Sequence, residues 1–264
     1  MKGTVAVLIV AAHLPWTTSS DGCGLPPPVG AGQTGEASFV FDGVSRQFFY
    51  HVPAGYNQDS EVPLVLAFHG WGGDGGEVIN NGIAAEADVS SFVVVAPTGL
   101  GEEDSPDGEE NPNSWNGGGT SESPSQVAGP TCDPEAGAEG TCYSPSCDAS
   151  GCDECDWTTC FNDVGFVNQL LDWVEQRLCI DPARIYATGY SNGGQFVWQL
   201  GAQLSDRLAA VLPAMGTPHP GFARAPTTPQ SVMVVHGTED DVCPANSTDP
   251  SVDGWFYNTV PTPS

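Results

Sequence analysis

Positive charge is scarce in this chain. Six Lys plus Arg stand against 33 Asp plus Glu, a formal net charge of -27 over 264 residues, and Lys2 is the sole lysine. So acidic a surface repels nucleic-acid phosphates and anionic lipid headgroups, which excludes both as expected partners. Solubility alone accounts for an excess of this sign, and a salt-rich habitat is the other reading. After the N-terminal stretch no apolar run is long enough to cross a bilayer. No internal repeat is visible.

The N-terminal stretch "MKGTVAVLIVAAHLPWTTSS" has a short positive start, an apolar segment from Val5 to Leu14 and a small polar tail. That is the pattern of a secretory leader, expected over residues 1–22, and it predicts a secreted, extracellular protein. Nine cysteines agree, because disulfides persist in an oxidising compartment. Nine is odd, so one thiol stays free or has its partner outside the chain. Residues 23–37, "CGLPPPVGAGQTGEA", are Pro/Gly-rich and read as a lead-in linker. One domain is then expected over residues 38–264.

Within that domain "ASFVFDGVSRQFFYHVP" alternates like two strands broken at Asp42-Gly43, a hairpin signal. "VPLVLAFHG" and "SSFVVVAPTG" are continuous apolar runs, as in strands buried on both faces of a parallel sheet. Val164, Val167, Leu170, Leu171, Val174 and Leu178 recur at helical steps, with Asn162 or Asp163 available as cap. A strand over "ARIYATG", a helix over "NGGQFVWQLGAQLSDR" and two further buried strands, "LAAVLPAMG" and "SVMVVHG", complete the pattern. Strands alternating with helices predict an α/β fold with a mostly parallel sheet and helices on both faces.

Residues 101–160 break that pattern. They are acidic, rich in Gly, Ser and Pro, and hold six of the nine cysteines: Cys132, Cys142, Cys147, Cys152, Cys155 and Cys160. No strand or helix period appears, and the expectation is a disulfide-pinned insertion. The C-x-x-C at Cys152 and Cys155 raises zinc, but the exported context favours disulfides. A regular helix between Cys160 and Cys179 holds those two apart. The acidic "GEEDSPDGEE" lacks EF-hand spacing, so it reads as a solvated loop rather than a calcium site. No metal and no cofactor are expected. Asn246-Ser247-Thr248 satisfies the glycosylation sequon.

The segment "GYSNGG" places Ser191 between Gly189 and Gly193, straight after a strand and before a helix. This is the pattern of a nucleophile elbow, whose tight turn lifts the hydroxyl clear of the sheet. An attacking serine needs a base, and its tetrahedral intermediate needs N–H donors for the oxyanion. "AFHGWGGDGG" offers the amide of Trp71, with Gly72 as the alternative, and the helix start after the elbow offers the amide of Asn192. His69 reads as a structural side chain that orients this loop. The orienting acid is expected after a later strand, where "SVMVVHGTEDDVCP" supplies Glu239, Asp240 and Asp241.

"PLVLAFHGWGG", "SWNGG", "DVGFVNQLLDWVEQRLCIDPARIYATGYSNGG", "DRLAAVLPAMGTPH" and "VVHGTEDDVCP" follow one another in this order. Together, from Arg46 to Pro244, they resemble the secreted α/β-hydrolase esterases grouped as feruloyl esterases and polyhydroxybutyrate-depolymerase-like proteins. The resemblance implies that Ser191 is the nucleophile, that Asp240 orients the base and that Trp115 lines the substrate cleft. His219 is placed at the border of that cleft. The implied substrates are carboxylic esters: feruloyl or acetyl esters of plant polysaccharide, or a hydroxyalkanoate polyester. The family's general base is a histidine near the C-terminus. Of the histidines here, His13, His51, His69, His219 and His236, none follows Asp240. The expectation is therefore a chain incomplete at its C-terminus, the alternative being an ester- or carbohydrate-binding protein without the triad histidine. A surface-adhesion module resting on residues 101–160 leaves the elbow unexplained.

Overall fold

The computed structural model of the chain describes residues 20–102, 111–117, 161–216 and 226–240. Two antiparallel strands, β1 (Gln33–Phe41) and β2 (Val44–Val52), form the expected hairpin. Asp42 and Gly43 at its tip take φ values of 48° and 81°, the left-handed pair that a two-residue hairpin of matching twist requires. β3 (Val62–Phe68) leads into a short helix α1 (Gly75–Val78), a π-helical turn over Ile79–Ile83 and α2 (Ala84–Ser90). β4 (Val93–Pro97) follows, then a small antiparallel ladder of β5 (Leu100–Glu102) and β6 (Asn111–Ser114). Beyond these lie α3 (Asp163–Glu175), β7 (Ile180–Tyr190), α4 (Asn192–Gln203), β8 (Ala210–Ala214) and β9 (Ser231–Val232).

The main sheet runs β1-β2-β4-β3-β7-β8-β9. The β1–β2 and β2–β4 pairs are antiparallel, and every pair from β4 to β9 is parallel. Both faces are covered, as the continuous apolar runs predict. Leu64, Leu66, Phe68, Val93 and Val95 join one cluster with Phe166, Leu170 and Leu171 of α3 and Phe196 and Leu200 of α4. Ala67, Val94 and Ala96, on the opposite face, pack with Ile79 and Ala87. Each fully buried Leu or Phe contributes about 1.5–3 kcal/mol. Asn162 caps α3, its side chain accepting from the Gly165 N–H at 3.0 Å. Among the described residues no helix is long and apolar enough to cross a membrane.

Cations act as internal staples. Arg46 and Asp163 form a buried ion pair at 2.6 Å, and the Arg46 guanidinium lies 4.0 Å from the Phe166 ring centroid. Arg207 binds Asp172 at 2.7 Å and Glu175 at 2.9 Å, fastening the loop after α4 to α3. Arg177 lies over Trp173, and Arg184 pairs with Asp181.

At four places the structure adds to, or differs from, what the sequence leads one to expect. The lead-in is not a free linker. Cys23 is disulfide-bonded to Cys179 across 156 residues, and β1 begins at Gln33. The end of the expected leader also packs on the fold: Ser20 Oγ donates to Leu178 O at 2.6 Å, and the Gly22 N–H donates to Glu175 O at 2.8 Å. The insertion does not start as a structureless loop, because Leu100 pairs with Ser114 and residues 114–117 are buried. The polar β6 carries no apolar alternation and is held by its ladder, so periodicity misses it. Finally, "SVMVVHG" forms only a two-residue strand and a bridge from Val235 to Ala214. Among the described residues it has β8 on one side alone, which leaves Met233 and Val235 exposed. The six cysteines from Cys132 to Cys160 lie outside the described residues.

Candidate active site

β7 delivers Ser191 at the carboxyl end of the parallel sheet, where open α/β sheets place their ligands. Its backbone takes φ 54° and ψ -125°, which a residue with a side chain adopts only when its surroundings enforce it. The surroundings are glycine. A Cβ on Gly189 would come within 2.6 Å of Gly193 O, and one on Gly193 within 2.6 Å of Phe68 O and closer still to His69 O. The turn is therefore compressed against the end of β3, and only hydrogen fits at either position. The Ser191 N–H donates to Ala214 O at 3.0 Å, and Ser191 O accepts from the Gln195 N–H at 3.0 Å to start α4. Ser191 itself is half-buried.

Two more glycines frame the elbow. Gly70, just past β3, leaves room for Ser191, whose Cβ would lie 3.3 Å from a Cβ added there. Gly216, just past β8, lies where a Cβ would come within 2.5 Å of Ser191 O. Sequence reading did not single these two out, although "FHG" and "AMG" signal them as glycines that end neighbouring parallel strands.

His69 is locked beneath the loop. Its Nδ1–H donates to Gly70 O at 2.6 Å, and its Nε2 accepts from the Gly99 N–H at 2.8 Å. Both nitrogens have assigned roles, so the ring is a neutral scaffold. Burial lowers its pKa to about 4, against the opposing hydrogen bond to Gly70 and the charge of Asp74. In the same loop the Gly72 N–H donates to Asn113 O at 2.8 Å and the Gly73 N–H to Gly70 O at 3.1 Å. Gly72, the alternative oxyanion donor, is thereby committed to the β6 segment.

Trp115 is not a cleft residue. It is fully buried, stacked on Phe196 with centroids 5.2 Å apart and set edge-on to Phe68, while its indole N–H donates to His69 O at 3.0 Å. Two aromatic rings and the end of β3 enclose the indole, so it supports the loop from below. Asn192 is buried as well. Its Oδ1 accepts from the Trp115 N–H at 2.8 Å, and its Nδ2 donates to Trp115 O at 3.2 Å. Trp71, by contrast, is 44% exposed.

The acid turn reaches the elbow through β8. Val235 bridges Ala214, and the Met215 N–H donates to Val235 O at 2.8 Å. Ala214 is the residue that accepts from the Ser191 N–H, so two backbone steps separate the elbow from the strand carrying "HGTED". Asp240 is partly buried and sits 3.6 Å from His236 Nε2. His219 and Asp241 lie outside the described residues. Among the described residues no histidine hydrogen-bonds the Ser191 hydroxyl, and none of their His, Cys, Asp and Glu side chains group to hold a metal ion. His51 instead bridges Thr34 and Asp88, at 3.0 and 2.9 Å. A cavity of about 400 Å³ between the start of α3 and the end of α4 is lined by Asn162, Asn168, Gln203 and Asp206. Its lining includes no Ser, Cys or His and none of the elbow residues, so it is not this site.

The Dienelactone hydrolase family matches residues 145–253. Feruloyl esterase D of Neurospora crassa is 24% identical over 242 residues, covering 90% of this chain and 69% of that protein. A bifunctional acetylxylan esterase/xylanase of Neocallimastix patriciarum is 35% identical over 80 residues, covering 30% of this chain and 12% of that protein. Feruloyl esterase B of Piromyces equi is 24% identical over 203 residues, covering 75% of this chain and 30% of that protein. The chain thus spans less than a third of the length of the last two. Among solved structures, native sOPH aligns with a TM-score of 0.52 at 16% identity, over 82% of this chain and 70% of that one. A thermostable esterase aligns with a TM-score of 0.50 at 20% identity, over 80% and 48%. Sheet order, the turn at Ser191 and these structural likenesses agree: the chain has the α/β-hydrolase fold, and the sequence relatives it matches include feruloyl and acetylxylan esterases.

Proposed function

We propose that this protein is a secreted serine esterase that hydrolyses carboxylic esters through an acyl-enzyme, with feruloyl or acetyl esters of plant polysaccharide as substrates. The observation that carries the reading is Ser191 at φ 54° on the turn between β7 and α4, packed so that only glycine fits on either side. Ser191 Oγ attacks the ester carbonyl, and the alcohol leaves as the tetrahedral intermediate collapses to the acyl-enzyme. The Trp71 and Asn192 amides receive the oxyanion. Engagement of the Gly72 amide by Asn113 O supports Trp71 as the loop donor, and the position of Asn192 at the start of α4 supports the second. Asp240 would orient a histidine base for the Ser191 proton, a base that none of the five histidines of this sequence is assigned to supply; the strand leading to Asp240 lies two backbone steps from the elbow, at Val235, and that supports the role. Water then releases the acid. His219 borders the cleft. The Cys23–Cys179 disulfide supports an extracellular setting.

The test is covalent labelling with a fluorophosphonate, followed by methyl ferulate, acetylated xylan and a hydroxybutyrate trimer as substrates. Labelling at Ser191, lost in Ser191→Ala, together with release of ferulate or acetate supports the reading. Turnover of the trimer alone moves the substrate to polyesters. A folded chain that binds these esters without labelling sinks the enzyme reading. It favours the binding protein.

A further inference from the structure

We infer that the buried Arg46–Asp163 pair positions the Asn192 amide, through the backbone of Trp115 and Asn116. The inference rests on the esterase reading for its catalytic consequence but not for the coupling itself. Arg46 Nη2 donates to Asp163 Oδ1 at 2.6 Å, and Asp163 Oδ2 accepts from the Asn116 N–H at 2.8 Å. One residue earlier, Trp115 is gripped on both its N–H and its C=O by the Asn192 side chain. Asn116 is held a second time, its Nδ2 donating to Phe161 O at 2.9 Å. All five residues in this relay, Arg46, Asp163, Asn116, Trp115 and Asn192, are at most 1% exposed.

The relay joins elements that are remote in sequence: β2, the first residue of α3, the segment after β6 and the first residue of α4. Packing alone does not require charge here. A buried ion pair stabilises little over an apolar pair of the same volume, so its presence calls for a geometric reason. The geometry supplies one. The two carboxylate oxygens of Asp163 lie in a fixed plane, and with one bonded to Arg46 the other can meet the Asn116 N–H in only one orientation. That fixes the peptide between Trp115 and Asn116, and with it the Trp115 carbonyl that Asn192 Nδ2 grasps; the Trp115 N–H, one peptide earlier, is the second point held by the same side chain. Asn192 is the first residue after Ser191, so a shift of its side chain turns its own N–H away from the oxyanion. Arg46 and Asp163 are positioning residues: neither touches the reacting atoms.

The test uses the full chain and Asp163→Asn, with Arg46→Lys as the second variant should the first fail to fold. Amide hydrogen exchange reads the coupling without any substrate. Both 113–117 and 192–196 should exchange ~10-fold faster or more, while β3 and β4 keep their protection. Unchanged exchange at 192–196 in a folded variant overturns the inference. Kinetics on methyl ferulate read the consequence. kcat should fall ~10- to 100-fold with KM within about two-fold, and fluorophosphonate labelling of Ser191 should slow in proportion. An unchanged kcat, or a raised KM with kcat intact, also overturns it. A wild-type chain that neither labels nor turns over ester sinks the esterase reading instead, and the exchange measurement then decides the relay alone.

Discussion

The elbow and the acid turn stand at the same end of the sheet, yet they are held in opposite ways. The elbow is fixed by close packing: Gly189 and Gly193 have no room for a Cβ, and Gly216 is pressed on Ser191 O. The acid turn is carried by a two-residue strand and one bridge, and around Gly237 a Cβ would meet nothing closer than 3.7 Å. On the proposed esterase reading, Ser191 is a nucleophile held out of ordinary backbone geometry and needs walls around it, whereas Asp240 acts through another residue and needs only the address that β9 and its bridge provide.

That contrast can be broken by experiment, and the largest effects should fall on the elbow's side. Removing the Cys23–Cys179 crosslink with Cys23→Ser frees the chain just before β7, the strand that delivers Ser191. Denaturant unfolding should show a loss of about 2–5 kcal/mol. Next comes acid. His69 holds a pKa of about 4 in the fold against 6.5 when unfolded, so between those values the unfolded chain binds the extra proton. Stability should decline by about 3 kcal/mol as pH falls from about 6.5 to about 4, and His69→Gln should flatten that part of the pH profile. Gly193→Ala forces a methyl against Phe68 O and His69 O and should cost about 1–3 kcal/mol in thermal or denaturant unfolding. Gly237→Ala meets only ordinary contacts and should stay within about 0.5 kcal/mol of the parent. Equal penalties for the two alanines would erase the contrast.

Sequence reading was strong where the cause of structure is local. Asp42-Gly43 announced the hairpin because few residues accept two positive φ values in succession. "GYSNGG" announced the elbow because one of its close contacts, Gly189 against Gly193, is between neighbours four residues apart. The runs at β3 and β4 announced strands covered on both faces. It was weak where the cause is remote. Trp115 was expected at a cleft, since nothing near it in sequence shows that Phe68 and Phe196 enclose it. Arg46 and Asp163 are 117 positions apart, and neither stands in a recognisable motif with the other. Cys23 sits in a Pro/Gly-rich stretch whose composition suggests a linker, and cysteine counting cannot choose its partner among the other eight. "SVMVVHG" has the composition of a central strand but is flanked only by β8 among the described residues, a property of sheet order rather than of residues.

The staples made by Arg46, Arg177, Arg184 and Arg207 have a consequence for how this protein meets its solvent. Each of these guanidinium groups is bound to a neighbour within its own fold, and those of Arg46 and Arg207 are largely withdrawn from solvent. Counterions from the medium must then supply the balance that other proteins draw from their own lysines. Dissolved electrolyte is in effect an outer layer of this molecule: dilution thins it and brings the carboxylates into mutual repulsion, while brine thickens it and leaves the enclosed Arg46 pair almost untouched.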